Sequence, residues 1–366
     1  MLRRTLIALA AASLGLAGSA PAQTQGTVIN PDPRQPASRV GTRGANFLEI
    51  GIGARSQALA GAYTGLASGV TAMYWNTAGI AGATGLSAAF SRSDLYGGLG
   101  VTHTFVGAML PILGGVAGVS YNRLDSGDIP RTDEEHPDGG DVQFGNTFSW
   151  QGTAVGLHYG RRLTDRLAFG VAGKAISEGM SGASANWWGV DIGTQFNTGL
   201  YGLTVGAALS NIGPSARMEG SLIQRRIETA EAFPVNLPVR FSTQAAQLPT
   251  VFRFSVVSNV AGGSDALTMP NGDHNLRLAL ELTDAVDTEL QTSIGAEYSY
   301  RNLLFLRAGK RFANEANADF RPGSYGLSYG GGLRLPLVGR HIAFDYAYTS
   351  MGDLANVQIF SFELGN

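Results

Sequence analysis

The chain contains no cysteine, no excess of basic charge and, past its first residues, no long apolar run. Each absence removes a class of explanation. Without cysteine there are no disulfides, no thiolate metal sites, no cysteine nucleophile and no lipidated N-terminal cysteine. No stretch of 18 or more apolar residues follows residue 17, so the mature chain offers no helical membrane span. The formal net charge of −2 argues against a nucleic-acid surface built on a global basic field, and no nucleic-acid partner is expected. What is abundant is glycine, 51 residues of 366, about twice the usual share. Without a collagen period, that much glycine suits tight turns and close backbone contacts more than helices.

The N-terminus carries a processing signal. Arg3 and Arg4 precede an apolar run from Leu6 to Ala17 and then Ala20-Pro21-Ala22. A basic head, a short apolar core and small residues before a cleavage point describe a secretory signal peptide at 1–22. The run is too short to span a bilayer. Residues 23–46 are polar and broken by Pro31, Pro33 and Pro36, which reads as a flexible leader.

Alternation with period two dominates after residue 86. Ile342, Phe344, Tyr346 and Tyr348 share one face, opposed by His341, Ala343, Asp345, Ala347 and Thr349. Leu276, Leu278, Leu280 and Leu282 alternate in the same way, as do Ile294, Ala296, Tyr298 and Tyr300, and Leu327, Tyr329, Leu333 and Leu335. Each such strand has one apolar and one polar face. A soluble sandwich alternates too, but these strands approach the length needed to cross a bilayer at a tilt. Aromatic residues also gather toward strand ends, as an interfacial girdle requires. Trp150 and the Trp187-Trp188 pair are read as girdle residues on the same ground.

Candidate strands fall near 86–92, 100–110, 115–124, 146–160, 167–178, 184–197, 203–212, 251–259, 275–284, 289–300, 303–312, 324–335, 341–349 and 356–364. The expected fold is therefore all-β, a transmembrane antiparallel β-barrel of about 14 strands over residues 86–366, an even number as single-chain bacterial barrels require. Val239 to Ala246 is read as a further strand or part of a long loop. Turns such as Thr164-Asp165, Arg301-Asn302 and Gly339-Arg340 are short, whereas Asp125 to Gly145 and Ile212 to Pro249 are long. That asymmetry places long loops on the cell exterior. Outer-membrane lipid is the expected surrounding.

Ahead of the strands lies FLEIGIGARSQALAGAYTGLASGVTAMYWNTAGIA, Phe47 to Ala81, rich in Gly and Ala and almost free of charge apart from Glu49 and Arg55. Residues 47–85 are expected to form a hatch inside the barrel. This stretch resembles the N-terminal signature of the PorV/PorQ family of outer-membrane barrels, relatives of the FadL-type transporters of long-chain fatty acids. The matching positions include Gly51, Gly53, Ala54 and Arg55, then Gly61-Ala62-Tyr63, and Tyr74, Trp75 and Asn76 running into Ala78 and Gly79. Phe344 to Leu364, Gly295-Ala296-Glu297-Tyr298 and Leu306-Arg307-Ala308-Gly309 resemble the family's late strands. The resemblance implies a plugged barrel that docks or carries secreted cargo proteins for type IX secretion. The alternative is a FadL-like conduit for a hydrophobic ligand. A general porin fits an occupied lumen poorly. Where the family has Asn-Pro-Ala this chain has Asn76-Thr77-Ala78, so a looser turn is expected. The chain also ends on Leu364-Gly365-Asn366 rather than on an aromatic residue.

Arg253, Arg277, Glu281, Glu297, Arg307, Arg334 and Asp345 fall on the polar face of their strands and are expected to face the lumen. There they either tune a pore or pair with one another and clamp the hatch, and the clamp is preferred. Arg55, as a buried cation, requires a lumen carboxylate. Gly51-Ile52-Gly53 lacks the third glycine and the βαβ setting of a dinucleotide loop. The five histidines show no zinc spacing, and Asp133-Glu134-Glu135-His136 reads as a solvated loop. No Gly-x-Ser-x-Gly elbow occurs. No enzyme activity, cofactor or metal is expected.

Overall fold

The computed structural model describes residues 41–132, 134, 136–139, 147–228, 236–263, 266–268, 272–313, 325–352 and 356–365. Residues 1–22, expected as a signal peptide, and residues 23–40 of the expected leader lie outside the described residues, as do Asp133 and Glu135 of the acidic stretch.

Strands β1 (Ser87–Leu95), β2 (Val101–Ile112) and β3 (Gly115–Asp125) are followed by two short strands, β4 (Ile129–Pro130) and β5 (Thr147–Phe148). Then come β6 (Trp150–Arg162), β7 (Leu167–Met180), β8 (Ala183–Asn197) and β9 (Leu203–Ile212), and a second short pair, β10 (Gln224–Glu228) and β11 (Asn236–Arg240). The chain ends with β12 (Val251–Ala261), β13 (His274–Ala285), β14 (Gln291–Tyr300), β15 (Leu304–Ala313), β16 (Leu327–Leu337), β17 (Arg340–Ser350) and β18 (Asn356–Gly365). All but the two short pairs join one closed antiparallel barrel. It closes where β1 meets β18, with Phe90 opposite Phe362 and Ser91 opposite Ser361. The 14-strand wall expected from alternation is present. The 239–246 stretch is not part of it, because β11 pairs only with β10.

The connections at one end are mostly tight. Leu113-Gly114 and Arg301-Asn302 have positive φ at both residues, the conformation that matches a two-residue hairpin turn to strand twist. The β12–β13 connection is the long exception at that end. The β3–β6, β9–β12 and β15–β16 connections leave from the opposite end, where the β4–β5 and β10–β11 hairpins also stand. We call these the short-turn and long-loop mouths.

No helix among the described residues is long and apolar enough to cross a membrane, so crossing falls to the strands. Outward-facing Phe90, Val106, Leu157, Phe254, Leu280, Leu306, Phe344 and Phe362 are all exposed. A water-soluble monomer seldom exposes an apolar belt of this extent, whereas hydrocarbon requires one. Aromatic rings mark both ends of the belt. Tyr329 stacks on Tyr348 toward the long-loop mouth at 5.0 Å, and Tyr300 lies 5.1 Å from His274 at the short-turn mouth. Trp150 and Trp187 depart from the expected girdle role, and the Trp150 indole N–H donates to the Glu178 carboxylate on the lumen side. Neighbours on a strand face opposite sides, so Trp188 is 61 % exposed while Trp187 is buried in the lumen and donates to the Ala246 carbonyl.

A charge placed in the belt tests this reading. Leu280→Arg, near the middle of β13, should lower stability in vesicles by about 2–4 kcal/mol. The measure is urea unfolding followed by the heat-dependent shift in gel mobility, and an unchanged midpoint would mean that this wall does not meet lipid.

Candidate functional site

The lumen is filled from the N-terminal side. At the long-loop mouth the Gly44 N–H donates to the Gln247 carbonyl and the Ala45 N–H to the Glu178 carboxylate. Phe47 and Leu48 pack there with Ile176, Trp187 and Leu248. The chain then forms two single-turn helices, α1 (Ala54–Ala58) and α2 (Ala72–Trp75), and a 3-10 turn at Thr77–Gly82 near the short-turn mouth. Short helices are what a Gly-punctuated sequence allows. Gly53 and Gly61 stand either side of α1 at φ 83° and 85°, a region that costs glycine little and other residues more.

Inward-facing glycines of the wall admit this segment. A Cβ on Gly309 would lie 2.4 Å from the Leu59 carbonyl carbon, and one on Gly170 would lie 2.4 Å from the Ala78 nitrogen. Within the segment, Gly79 crosses under the Ala67 carbonyl and Gly51 under the Gln57 side chain, both too close for a Cβ. The Trp75 indole N–H donates to the Ile52 carbonyl and the Tyr74 hydroxyl to that of Leu48, each at 2.9 Å. Asn76 resolves the missing proline. Its Oδ1 accepts from the Ala78 N–H, while its Nδ2 donates to the Thr64 and Thr194 carbonyls at 3.0 Å. A side-chain cap and a link to the wall hold the turn that a proline at Thr77 would otherwise preorganise.

The charged residues of the wall form two anchors. Glu297 receives Arg55 through two bonds of 2.8 and 2.9 Å and Arg307 through one of 2.7 Å, with Arg277 at 3.8 Å. Arg307 reaches on to Asp345 at 2.6 Å. Glu281 accepts the Tyr63 and Thr64 amides at 2.8 Å and the Thr64 hydroxyl at 2.9 Å. Arg253 lies over the rings of Tyr74 and Trp75, 5.7 and 5.2 Å away. All seven charges named from strand parity thus face the lumen. Six join these two groups or the stacked pair, whereas Arg334 stands apart. Among the described residues no carboxylate pairs with it, and its Nε lacks a hydrogen-bond partner.

Other anchors escape a reading based on charge alone. Gln195 donates to the Thr64 and Ala67 carbonyls, and Glu363 accepts from the Val70 N–H. Both obey strand parity, so alternation through β8 and β18 was the available signal. A further buried polar layer lines β3 and β6 to β9. Ser120 and His158 are 2.8 Å apart, and Lys174 pairs with Asp191 at 2.8 Å beside a break in register between β8 and β9. No group of three metal-ligating side chains occurs among the described residues.

A cavity lies on each side of α1. The upper, about 300 Å³, opens toward the long-loop mouth. Ile50, Leu95, Val357 and Ile359 form its apolar side, and Glu49, Arg253, Thr283 and Arg311 its polar side. The lower, about 230 Å³, opens toward the short-turn mouth and is lined by Arg55, Ser68, Arg334, Asp345, Ser361 and Glu363 among others. In the upper cavity burial pushes the Glu49 carboxyl up to about 7, and the nearby Asp287 carboxylate adds to the shift.

Breaking the first anchor leaves Arg55 and Arg307 buried without their shared carboxylate. Glu297→Gln should therefore cost about 3–5 kcal/mol, read by denaturant unfolding, and should raise amide exchange in Ala54–Ala58. Unchanged exchange there would detach Arg55 from its assigned role. Glu49 gives a pH dependence. Its pKa is higher in the fold than in the unfolded chain, so its contribution is complete below pH 4.5 and is lost as pH rises through about 7. Amides of Phe47–Ile50 should exchange faster at pH 8 than at pH 5 after correction for intrinsic rates, and Glu49→Gln should flatten the difference.

No family model matches the chain, and no curated protein matches it. Solved structures do. The toluene transporter TodX of Pseudomonas putida aligns at 11 % identity over 86 % of this chain and 96 % of its own, with a TM-score of 0.50. The toluene transporter TbuX of Ralstonia pickettii aligns at 12 % over 86 % and 97 %, also at 0.50. A FadL homologue of Pseudomonas aeruginosa aligns at 10 % over 85 % and 97 %, at 0.47. At such identities the likeness concerns the fold alone, a closed antiparallel outer-membrane β-barrel like those of the two toluene transporters.

Proposed function

We propose that this protein is a conduit for hydrophobic small molecules across the outer membrane, with residues 47–85 as the hatch of a barrel spanning 86–366. The observation that carries the reading is the upper cavity. It is open to the long-loop mouth and is about 300 Å³ in volume, at the lower bound of pockets that hold small ligands. Its apolar side of Ile50, Leu95, Val357 and Ile359 offers dispersion contact and no unmet hydrogen-bond demand. The toluene transporters that share the fold point to a ligand class, a small aromatic hydrocarbon. Docking of secreted cargo for type IX secretion is supported by the sequence resemblance around Tyr74-Trp75-Asn76, whereas the cavities favour the conduit.

Uptake separates the two. Cells lacking their own hydrocarbon channels and expressing this protein should take up radiolabelled toluene faster than cells with the empty vector. Protein purified from native membranes should carry bound hydrocarbon. If uptake stays at background with heat-modifiable barrel present, and secreted proteins co-purify, the secretion reading replaces this one.

A further inference from the structure

The inner segment enters the lumen through a 3-10 turn, Asn46–Glu49. Such a turn repeats about every three residues, so side chains three apart eclipse and point the same way. Asn46 and Glu49 therefore stand together, and both line the upper cavity. The β13–β14 connection meets them there. It is fixed by the Val286 N–H on the Thr250 carbonyl and by the Thr288 N–H on the Ala285 carbonyl. Between these bonds Asp287 turns inward. It is 3 % exposed, and its carboxylate adjoins that of Glu49.

Three oxygens at this meeting are buried and receive no hydrogen bond: Asn46 Oδ1, Glu49 Oε1 and Asp287 Oδ1. A buried acceptor without a donor is costly, and two carboxylates side by side repel each other. Arg253 does not resolve this. Its guanidinium lies over the rings of Tyr74 and Trp75, and its pull on Glu49 is smaller than the effects of burial and of Asp287. A proton shared between the two carboxyls would bridge them and leave the Asn46 oxygen bare. A cation with several oxygen ligands serves all three.

We propose that Asn46, Glu49 and Asp287 hold a calcium ion that ties the entry of the inner segment to the β13–β14 connection. Calcium takes about six to eight oxygen ligands in a flexible geometry and accepts water among them. Each carboxylate binds through one oxygen or both, and the Asn46 carbonyl adds a neutral donor. The upper cavity, open to the long-loop mouth, has room for the waters that complete the shell. No thiolate or imidazole belongs to the group, so softer metals such as zinc and copper are disfavoured. Long loops of single-chain bacterial barrels face the exterior, where oxygen sites of millimolar affinity serve as structural ties. The ion cancels the repulsion of the pair and fixes the turn. This inference holds whether or not the barrel conducts hydrocarbon.

Terbium, which replaces calcium at oxygen sites and luminesces when excited through a nearby aromatic ring, is the probe, and Tyr96 lines the same cavity. Full-length protein refolded in detergent free of lipopolysaccharide should bind terbium. Calcium should displace it with an apparent Kd of about 10⁻⁴–10⁻³ M. Glu49→Gln and Asp287→Asn should each weaken binding by roughly tenfold or more, since affinity follows ligand charge. Each removes one of two like charges, so both variants should keep heat-modifiable folding. Hydrogen exchange gives a second reading. At pH 8 the amides of Phe47–Ile50 should exchange more slowly in calcium than in EDTA, and neither variant should show that difference. Absence of calcium-displaceable luminescence in the unsubstituted protein would overturn the proposal. Unchanged binding in both variants would overturn it as well, because the ion would then sit elsewhere. Equal exchange in calcium and EDTA would overturn the tie.

Discussion

A backbone crossing hydrocarbon must find every hydrogen-bond partner within the protein, and here the partner of the first strand is the last. Once β1 and β18 are paired the barrel has no free edge, and the wall meets lipid with a belt of apolar side chains. Everything inside follows from that closure. The inward side chains cannot reach bulk water through the wall, so their charges and amides must satisfy one another or the segment that fills the lumen. Glu281 does this by receiving two backbone amides and a hydroxyl, and Glu297 by gathering arginines from both wall and segment. The wall and its contents are therefore one hydrogen-bonded system.

The wall was largely legible in the sequence because strand parity is a local signal. Leu278, Leu280 and Leu282 expose themselves, and Arg277, Ala279 and Glu281 turn inward, for the same geometric reason. That rule also placed all seven lumen charges on their face. It left their partners unknown, since Arg55 and Glu297 are distant in sequence and meet only when the barrel curves. Trp187 shows the cost of reading composition over parity, for paired tryptophans suggested a girdle although only one of them can face lipid. Thr77 marks the opposite limit. A missing proline predicts a looser turn, but Asn76 uses both ends of its amide to hold the turn through contacts that only the fold creates.

Cavities are the least legible feature, because they are shaped by what fails to fill space. Ala54, Ala58 and Ala347 say little as letters, yet they decide that α1 meets the wall through methyl groups. The charges meanwhile sit on its flank. Around α1 the charged tie runs to Glu297 of β14, while alanine and glycine make the contact with β16 and β17.

The direction in which the inner segment runs has a consequence for assembly. Its first described residues stand at the long-loop mouth, and Ser87 begins the wall at the opposite one. The segment therefore traverses the ring from end to end. Threading a peptide with bulky Phe47, Tyr74 and Trp75 through a finished ring would mean forcing them past side chains already in place. A wall that curls around the segment meets no such obstacle. A ring that closes around the segment has its lumen filled from the start, with the segment as the mandrel on which the cylinder is wound.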